Sequence, residues 1–178
     1  MGHGVTKMLF KINEIGPEGL PVKVLVTADW LASACPDLEA KPGEAGLSLQ
    51  GRIHKTGEDY LLRAQLQGAL RLPCARCLEP ARVSLDLPIT VTFVPAGRGE
   101  PADNDDPDVV VFPGGEIDIS DEVRDEILLA VPINPLCAET CRGLCPVCGG
   151  NRNQVACTCE AEAAARTRRL GVLADIKL

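Results

Sequence analysis

The chain has 178 residues, 46% of them apolar, and a formal net charge of −7, which suits one ordinary domain with a small appended module. Aromatic residues are only 3%, so the core must rest on Leu, Val, Ile and Ala. Net acidity excludes a protein that coats nucleic acid through bulk positive charge. No apolar run approaches the roughly 18 residues that cross a bilayer.

In chain order, MLFKI (8–12) and PVKVLVTA (21–28) are rich in branched residues and predict strands. ADWLASACPD (28–37) allows one or two helical turns before Pro36. Residues 46–72 predict two strands joined by a polar turn at 55–59, with Leu62, Ala64, Leu66 and Gly68 on one face of the second. RVSLDLPITVTFV (82–94) alternates over a longer span, with Val83, Leu85, Leu87, Ile89, Val91 and Phe93 on one face. Pro88 in its middle cannot donate to a ladder and predicts an edge position or a bulge.

Residues 97–126 hold eleven acids against Arg98 and Arg124, a local charge of −9, and the remaining residues sum to +2. The acidity is one block, and RGEPADNDDPD (98–108) predicts a solvated loop. DVVVF (108–112) can return to the sheet. EIDISDEVRDEILLAVP (116–132) predicts a helix near 120–131, with Ser120 as cap and Val123, Ile127 and Val131 on one face. Glu122, Asp125 and Glu126 fit its solvated side better than an acid/base set. EAEAAARTRRL (160–170) predicts a C-terminal helix by composition.

Six cysteines fall within residues 136–160, out of nine in the chain. Eight of the nine form close pairs: Cys74 with Cys77, Cys137 with Cys141, Cys145 with Cys148, and Cys157 with Cys159. Such spacings let two thiolates from one tight turn face one tetrahedral ion, and four close a structural zinc site. Eight ligands make two sites, so two zinc ions are expected. Cys145, Cys148, Cys157 and Cys159 can close one site locally, leaving Cys74 and Cys77 to join Cys137 and Cys141. The rival arrangement combines Cys74 and Cys77 with Cys145 and Cys148. Gly149 and Gly150 follow the CPVC turn, where positive φ is often needed.

Spacing alone leaves an iron–sulfur cluster open, and a redox-switched zinc centre as well. A thioredoxin-like catalytic CxxC would need a βαβ setting, which the pattern lacks. Cys35 predicts a small buried apolar residue, and His54 and His3 have no partner pattern. No Ser/His/Asp set, phosphate loop or HExxH helix occurs in the sequence, so a non-enzymatic protein with no small-molecule substrate is expected. The N-terminus lacks a signal-peptide pattern, so a cytoplasmic protein is expected, where thiols stay reduced.

Four stretches carry a family resemblance: CARCLEP (74–80), EIDISDEVRDEILLAVPINPLC (116–137), CRGLCPVCGGNRN (141–153) and RLGVLADIKL (169–178). Together they resemble the YceD family, the large ribosomal RNA subunit accumulation proteins, from about residue 47 to the end. The resemblance implies a cytosolic factor for accumulation or processing of large-subunit ribosomal RNA. Members often carry leucine where this chain has Arg152, and a DPR where it has ARTRR.

Arg71, Arg76 and Arg82 lie around the first cysteine pair, and Arg142, Arg152, Arg166, Arg168 and Arg169 around the others. These eight are the candidate RNA contacts, since arginine pairs with phosphate in bidentate fashion. One Trp, one Tyr and three Phe are too few for a stacking platform. The expected partner is large-subunit ribosomal RNA or its precursor particle, reached directly or through a ribosomal protein. The alternative function is a redox-regulated zinc protein with chaperone-like activity. The expected fold is α+β: an antiparallel sheet or open β-barrel with a helix over 1–135, and a cysteine-rich zinc module with a C-terminal helix over 136–178, packed as one unit.

Overall fold

The computed structural model describes residues 8–97 and 108–159, the side chains of 43–45 excepted. The chain divides into two compact units, Met1–Leu72 with Arg82–Ile133, and Pro73–Ala81 with Asn134–Leu178. The helix expected at 160–170 lies outside the described residues, as does most of the acidic loop.

The first unit is built on strands β1 (Leu9–Lys11), β2 (Leu20–Val26), β3 (Lys41–Thr56), β4 (Asp59–Pro73), β5 (Pro80–Pro95), β6 (Val109–Phe112) and β7 (Glu116–Asp118). Two helices accompany them, α1 (Ala28–Ala34) and α2 (Ser120–Ala130). β2 to β6 form one open sheet in the order β2-β3-β4-β5-β6, and β1 pairs antiparallel with β7. The α+β architecture with an open sheet is the one the alternation predicts.

Alternating residues supply the core because successive strand side chains point to opposite faces. Val22, Val24 and Val26 of β2, Leu47, Leu49 and Ile53 of β3, and Leu62, Ala64 and Leu66 of β4 are all buried. Leu85, Ile89 and Phe93 of β5 join them, together with Val123 and Ile127 of α2. Phe112 meets Tyr60 and Phe93 edge-on, with ring centroids 5.8 and 6.5 Å apart. Three of the few aromatic rings are therefore core residues. Cys35 is buried in the same core, as expected for a small apolar side chain.

Three local features differ from expectation. β6 runs parallel to β5, pairing Thr92–Pro95 with Val109–Phe112, so the sheet is mixed. A parallel return needs a connection of about a dozen residues, and residues 96–108 provide it. Pro88 sits on an interior strand, yet on the part of β5 that β6 does not reach, so its missing N–H interrupts no β6 bond. Ser120 is the first residue of α2 and does not cap it. Its N–H instead donates to Asp118 Oδ1 at 2.9 Å, because the chain enters the helix straight from β7.

Glu122 also departs from the solvated-face reading. Its Oε2 is buried with no hydrogen-bond partner among the described residues, and burial pushes its carboxyl up.

Candidate metal centres

The second unit begins where β4 gives way to a tight turn. Cys74 N–H donates to Glu79 O at 2.9 Å and Leu78 N–H to Cys74 O at 3.0 Å. The turn at Cys145 repeats the pattern: Cys145 N–H to Gly150 O at 2.8 Å, and Gly149 N–H to Cys145 O at 2.9 Å. In both, the residue after the second cysteine is left-handed, Leu78 at φ 64° and Gly149 at φ 71°. The left-handed conformation lets the chain double back while the intervening N–H groups face the sulfurs, as Val147 N–H faces Cys145 Sγ at 3.5 Å. Glycine adopts it without strain; leucine does not. The likeness of CARCLE to CPVCGG is present in the sequence, but only the shared turn geometry gives it meaning.

Leu78 is 67% exposed, so it loses little burial on truncation. Leu78→Gly is expected to stabilise the protein by about 0.5–1 kcal/mol, the left-handed strain relieved less the added freedom of the unfolded chain. A higher denaturant midpoint at unchanged slope checks this, and a lower midpoint would mean that the side chain has a packing role.

The eight paired cysteines gather into two sets. Cys74, Cys77, Cys137 and Cys141 form one, and Cys145, Cys148, Cys157 and Cys159 the other, the ligand atoms of each set lying within 4.8 Å of one another. This is the locally closed arrangement rather than its rival. Cys77 Sγ lies 3.5 Å from Cys137 Sγ, and Cys74 Sγ 3.8 Å from Cys141 Sγ. A tetrahedral ion with metal–sulfur bonds of about 2.3 Å requires sulfurs about 3.8 Å apart. A multi-iron cluster, with sulfides and several irons between its thiolates, requires a wider cage. The donor set therefore fits a single tetrahedral ion in each set.

Hydrogen bonds of backbone and of one side chain hold the first set together. Ala75 N–H donates to Pro135 O at 2.8 Å, Leu144 N–H to Arg76 O at 3.0 Å, and Arg76 Nη1 to Cys141 O at 2.9 Å. Gly143 passes close beneath this turn at φ 72°, where a Cβ would lie 3.0 Å from Arg76 O. Cys74, Cys77 and Cys141 are buried and pack with Ala81, Leu136 and Leu144. Cys137 is exposed. In the second set Cys145 is buried, Cys148 exposed, and Cys157 and Cys159 half-buried.

The surroundings favour charge on some sulfurs and oppose it on others. Burial works against a Cys74 thiolate, yet the backbone N–H groups of Arg76, Cys137 and Cys77 bring it down to about 6. The N–H groups of Cys148 and Val147 bring Cys145 down to about 6. Hydrogen bonding with Cys77 and Cys141 pushes Cys137 up to about 12, and with Cys148 pushes Cys159 up to about 12. The first site thus favours charge on Cys74 and Cys141 and opposes it on Cys137, while the second favours it on Cys145 and opposes it on Cys159. A divalent cation held by the four sulfurs would let all of them ionise together.

Among the candidate RNA contacts, Arg142 and Arg152 line one cavity of about 360 Å³, with Val155, Ala156 and Cys157. Arg76 belongs to the scaffold of the first metal set, through its bond to Cys141 O. Arg71 and Arg82 are exposed on β4 and β5 in the first unit. Arg166, Arg168 and Arg169 lie outside the described residues. Sequence reasoning also missed Asn153, whose side chain donates to Cys141 Sγ at 3.3 Å. An asparagine between two cysteine turns gives no spacing signal of its own.

A predominantly β protein carrying two tetra-cysteine centres able to hold metal ions is the class that fold and site define. The chain belongs to the family described as Large ribosomal RNA subunit accumulation protein YceD, whose model matches residues 62–177. It is similar to an uncharacterized protein of Mycobacterium tuberculosis, 28% identical over 103 residues, which are 58% of this chain and 50% of that one. A Mycobacterium leprae protein is 23% identical over 148 residues, 83% of this chain and 68% of the other. The Arabidopsis thaliana protein named Large ribosomal RNA subunit accumulation protein YCED homolog 1, chloroplastic, is 43% identical over 47 residues, 26% of this chain and 15% of its own. The chain spans about half the length of the first of these relatives. No solved structure matches it.

Proposed function

We propose that this protein is a non-enzymatic factor, held in shape by two structural zinc ions, that supports accumulation or processing of large-subunit ribosomal RNA during ribosome assembly in the cytoplasm. The observation that carries the reading is a pair of four-thiol centres, each sized for one tetrahedral ion, in a chain of the YceD family. Zinc suits four thiolates in a closed tetrahedral site and brings no redox chemistry of its own. Native mass spectrometry is expected to find two zinc ions per chain. One ion, or iron with visible absorbance, overturns the assignment.

Arg142 and Arg152 support contact with RNA. They line one cavity in a module that metal would make rigid, so less freedom is lost when they meet phosphate. A guanidinium matches a phosphate in bidentate fashion. The remaining candidates, Arg71, Arg76, Arg82, Arg166, Arg168 and Arg169, extend that reading to the whole precursor particle or to a ribosomal protein on it. Sedimentation with ribosomal precursor fractions tests this: the protein should travel with them at low salt and leave at high salt. Failure to co-sediment at low salt overturns the ribosomal role.

One observation favours the redox-regulated, chaperone-like reading. Each site has one exposed cysteine, Cys137 in the first and Cys148 in the second, where an oxidant can approach. Release of zinc at mild doses of peroxide, with gain of activity against an aggregating protein, would favour it.

A further inference from the structure

Resting on the reading of both clusters as metal sites, we infer that the two centres are coupled, and that Asn153 is the positioning residue that couples them. Residues 149–156 bridge two ligands of the second site, Cys148 and Cys157, so an ion there pins both ends of the segment. The same segment is docked against the first site. Asn153 Nδ2 donates to Cys141 Sγ at 3.3 Å and to Asn151 Oδ1 at 2.8 Å, while Asn153 Oδ1 accepts from Arg142 N–H at 2.8 Å. Both amide hydrogens are thus engaged, and the amide has only one orientation that meets all three partners.

The backbone repeats the connection. Arg152 N–H donates to Gly143 O at 2.9 Å, and Leu144 bridges Asn151 in antiparallel fashion. Leu144 in turn donates its N–H to Arg76 O and packs against the buried first-site cysteines.

Coupling follows from loop entropy. With the second site filled, the segment is already ordered, and Asn153 presents its donor to the Cys141 sulfur without further loss of freedom. With the second site open, that order must be supplied by the hydrogen bonds themselves, and the sulfur is without its donor part of the time. Donors to metal-bound ligands, when removed, typically cost 10–100-fold in metal affinity. The coupling is reciprocal: filling the first site orders the segment whose ends make the second.

The test is a double-mutant cycle on the metal-loaded full chain, with Asn153→Ala, Cys157→Ser and both together. The readout is the rate at which first-site zinc passes to a chelator, followed by native mass spectrometry. Each single change should speed that release about tenfold, and the double variant should be no faster than the quicker single one, because both remove the same link. The retained zinc itself reports that the first site is still folded. Additive effects, or an unchanged rate in Asn153→Ala, overturn the coupling while leaving the metal sites intact. A wild-type chain that holds fewer than two ions overturns the metal reading and the coupling with it.

Discussion

Replacing Cys74 by Ser is expected to strip the first metal from the second unit and unfold most of that unit. Cys74 is completely buried, its sulfur 3.8 Å from that of Cys141. The site it completes closes long stretches of chain: Cys77 and Cys137, in contact through their sulfurs, are 60 positions apart. Structural zinc contributes apparent binding energy of about 10–16 kcal/mol, and in a site absent from the unfolded chain this is folding energy. Whole domains are stable by only about 5–15 kcal/mol, so no rearrangement of nearby side chains makes up the difference.

Cys145→Ser should be milder. Its site closes within residues 145–159, a short loop with a smaller entropy of closure. We expect Cys145→Ser to keep one ion, held less tightly because the segment carrying Asn153 is less ordered. Native mass spectrometry, with limited proteolysis to locate the opened segment, distinguishes the two variants. If Cys74→Ser retains two ions and melts as the wild type does, the proposed ligand sets are wrong.

The second large effect is on RNA. Changing Arg142 and Arg152 together to Gln is expected to flatten the dependence of log affinity on log salt by about 1.4–1.8, at about 0.7–0.9 for each phosphate no longer neutralised. Gln keeps most of the length and the hydrogen-bonding capacity while removing the charge. Both backbone N–H groups keep their partners, Asn153 Oδ1 and Gly143 O, so the zinc content should not change. Binding of large-subunit ribosomal RNA measured at several salt concentrations gives the slope. An unaltered slope would mean that these guanidiniums do not meet phosphate, and that the ribosomal role runs through a protein partner.

Much of this was legible in the residues. The alternation of Leu62, Ala64 and Leu66, and of Leu85, Ile89 and Phe93, marked the inward faces of β4 and β5, because period two admits only one buried face per register. Val123 and Ile127 marked the inward face of α2 in the same way. The cysteine pairs marked the members of the two four-thiol clusters, and the two-residue gap of Cys74/Cys77 and Cys145/Cys148 is what a tight turn needs to aim two sulfurs at one point. Capping was not legible at Ser120, whose residue type suits a cap while the chain's exit from β7 places it inside the helix, its N–H on Asp118 Oδ1.

What the sequence by itself determined is therefore local: strand faces, the helix core stripe, and which cysteines act in pairs, each set by spacing along one stretch of backbone. What only the tertiary structure decided is how distant pieces meet. Cys74 and Cys77 share a site with Cys137 and Cys141 because Ala75 and Leu144 fix the two segments side by side by backbone hydrogen bonds. β6 lies parallel to β5 because residues 96–108 are long enough to carry the chain back. Asn153 reaches Cys141 because the Arg152–Gly143 hydrogen bond and the Leu144–Asn151 bridge deliver its turn there. Spacing constrains neighbours in the chain, whereas these meetings depend on loop closures whose entropy grows only slowly with length, so several pairings remain nearly equal until packing and hydrogen bonds select one.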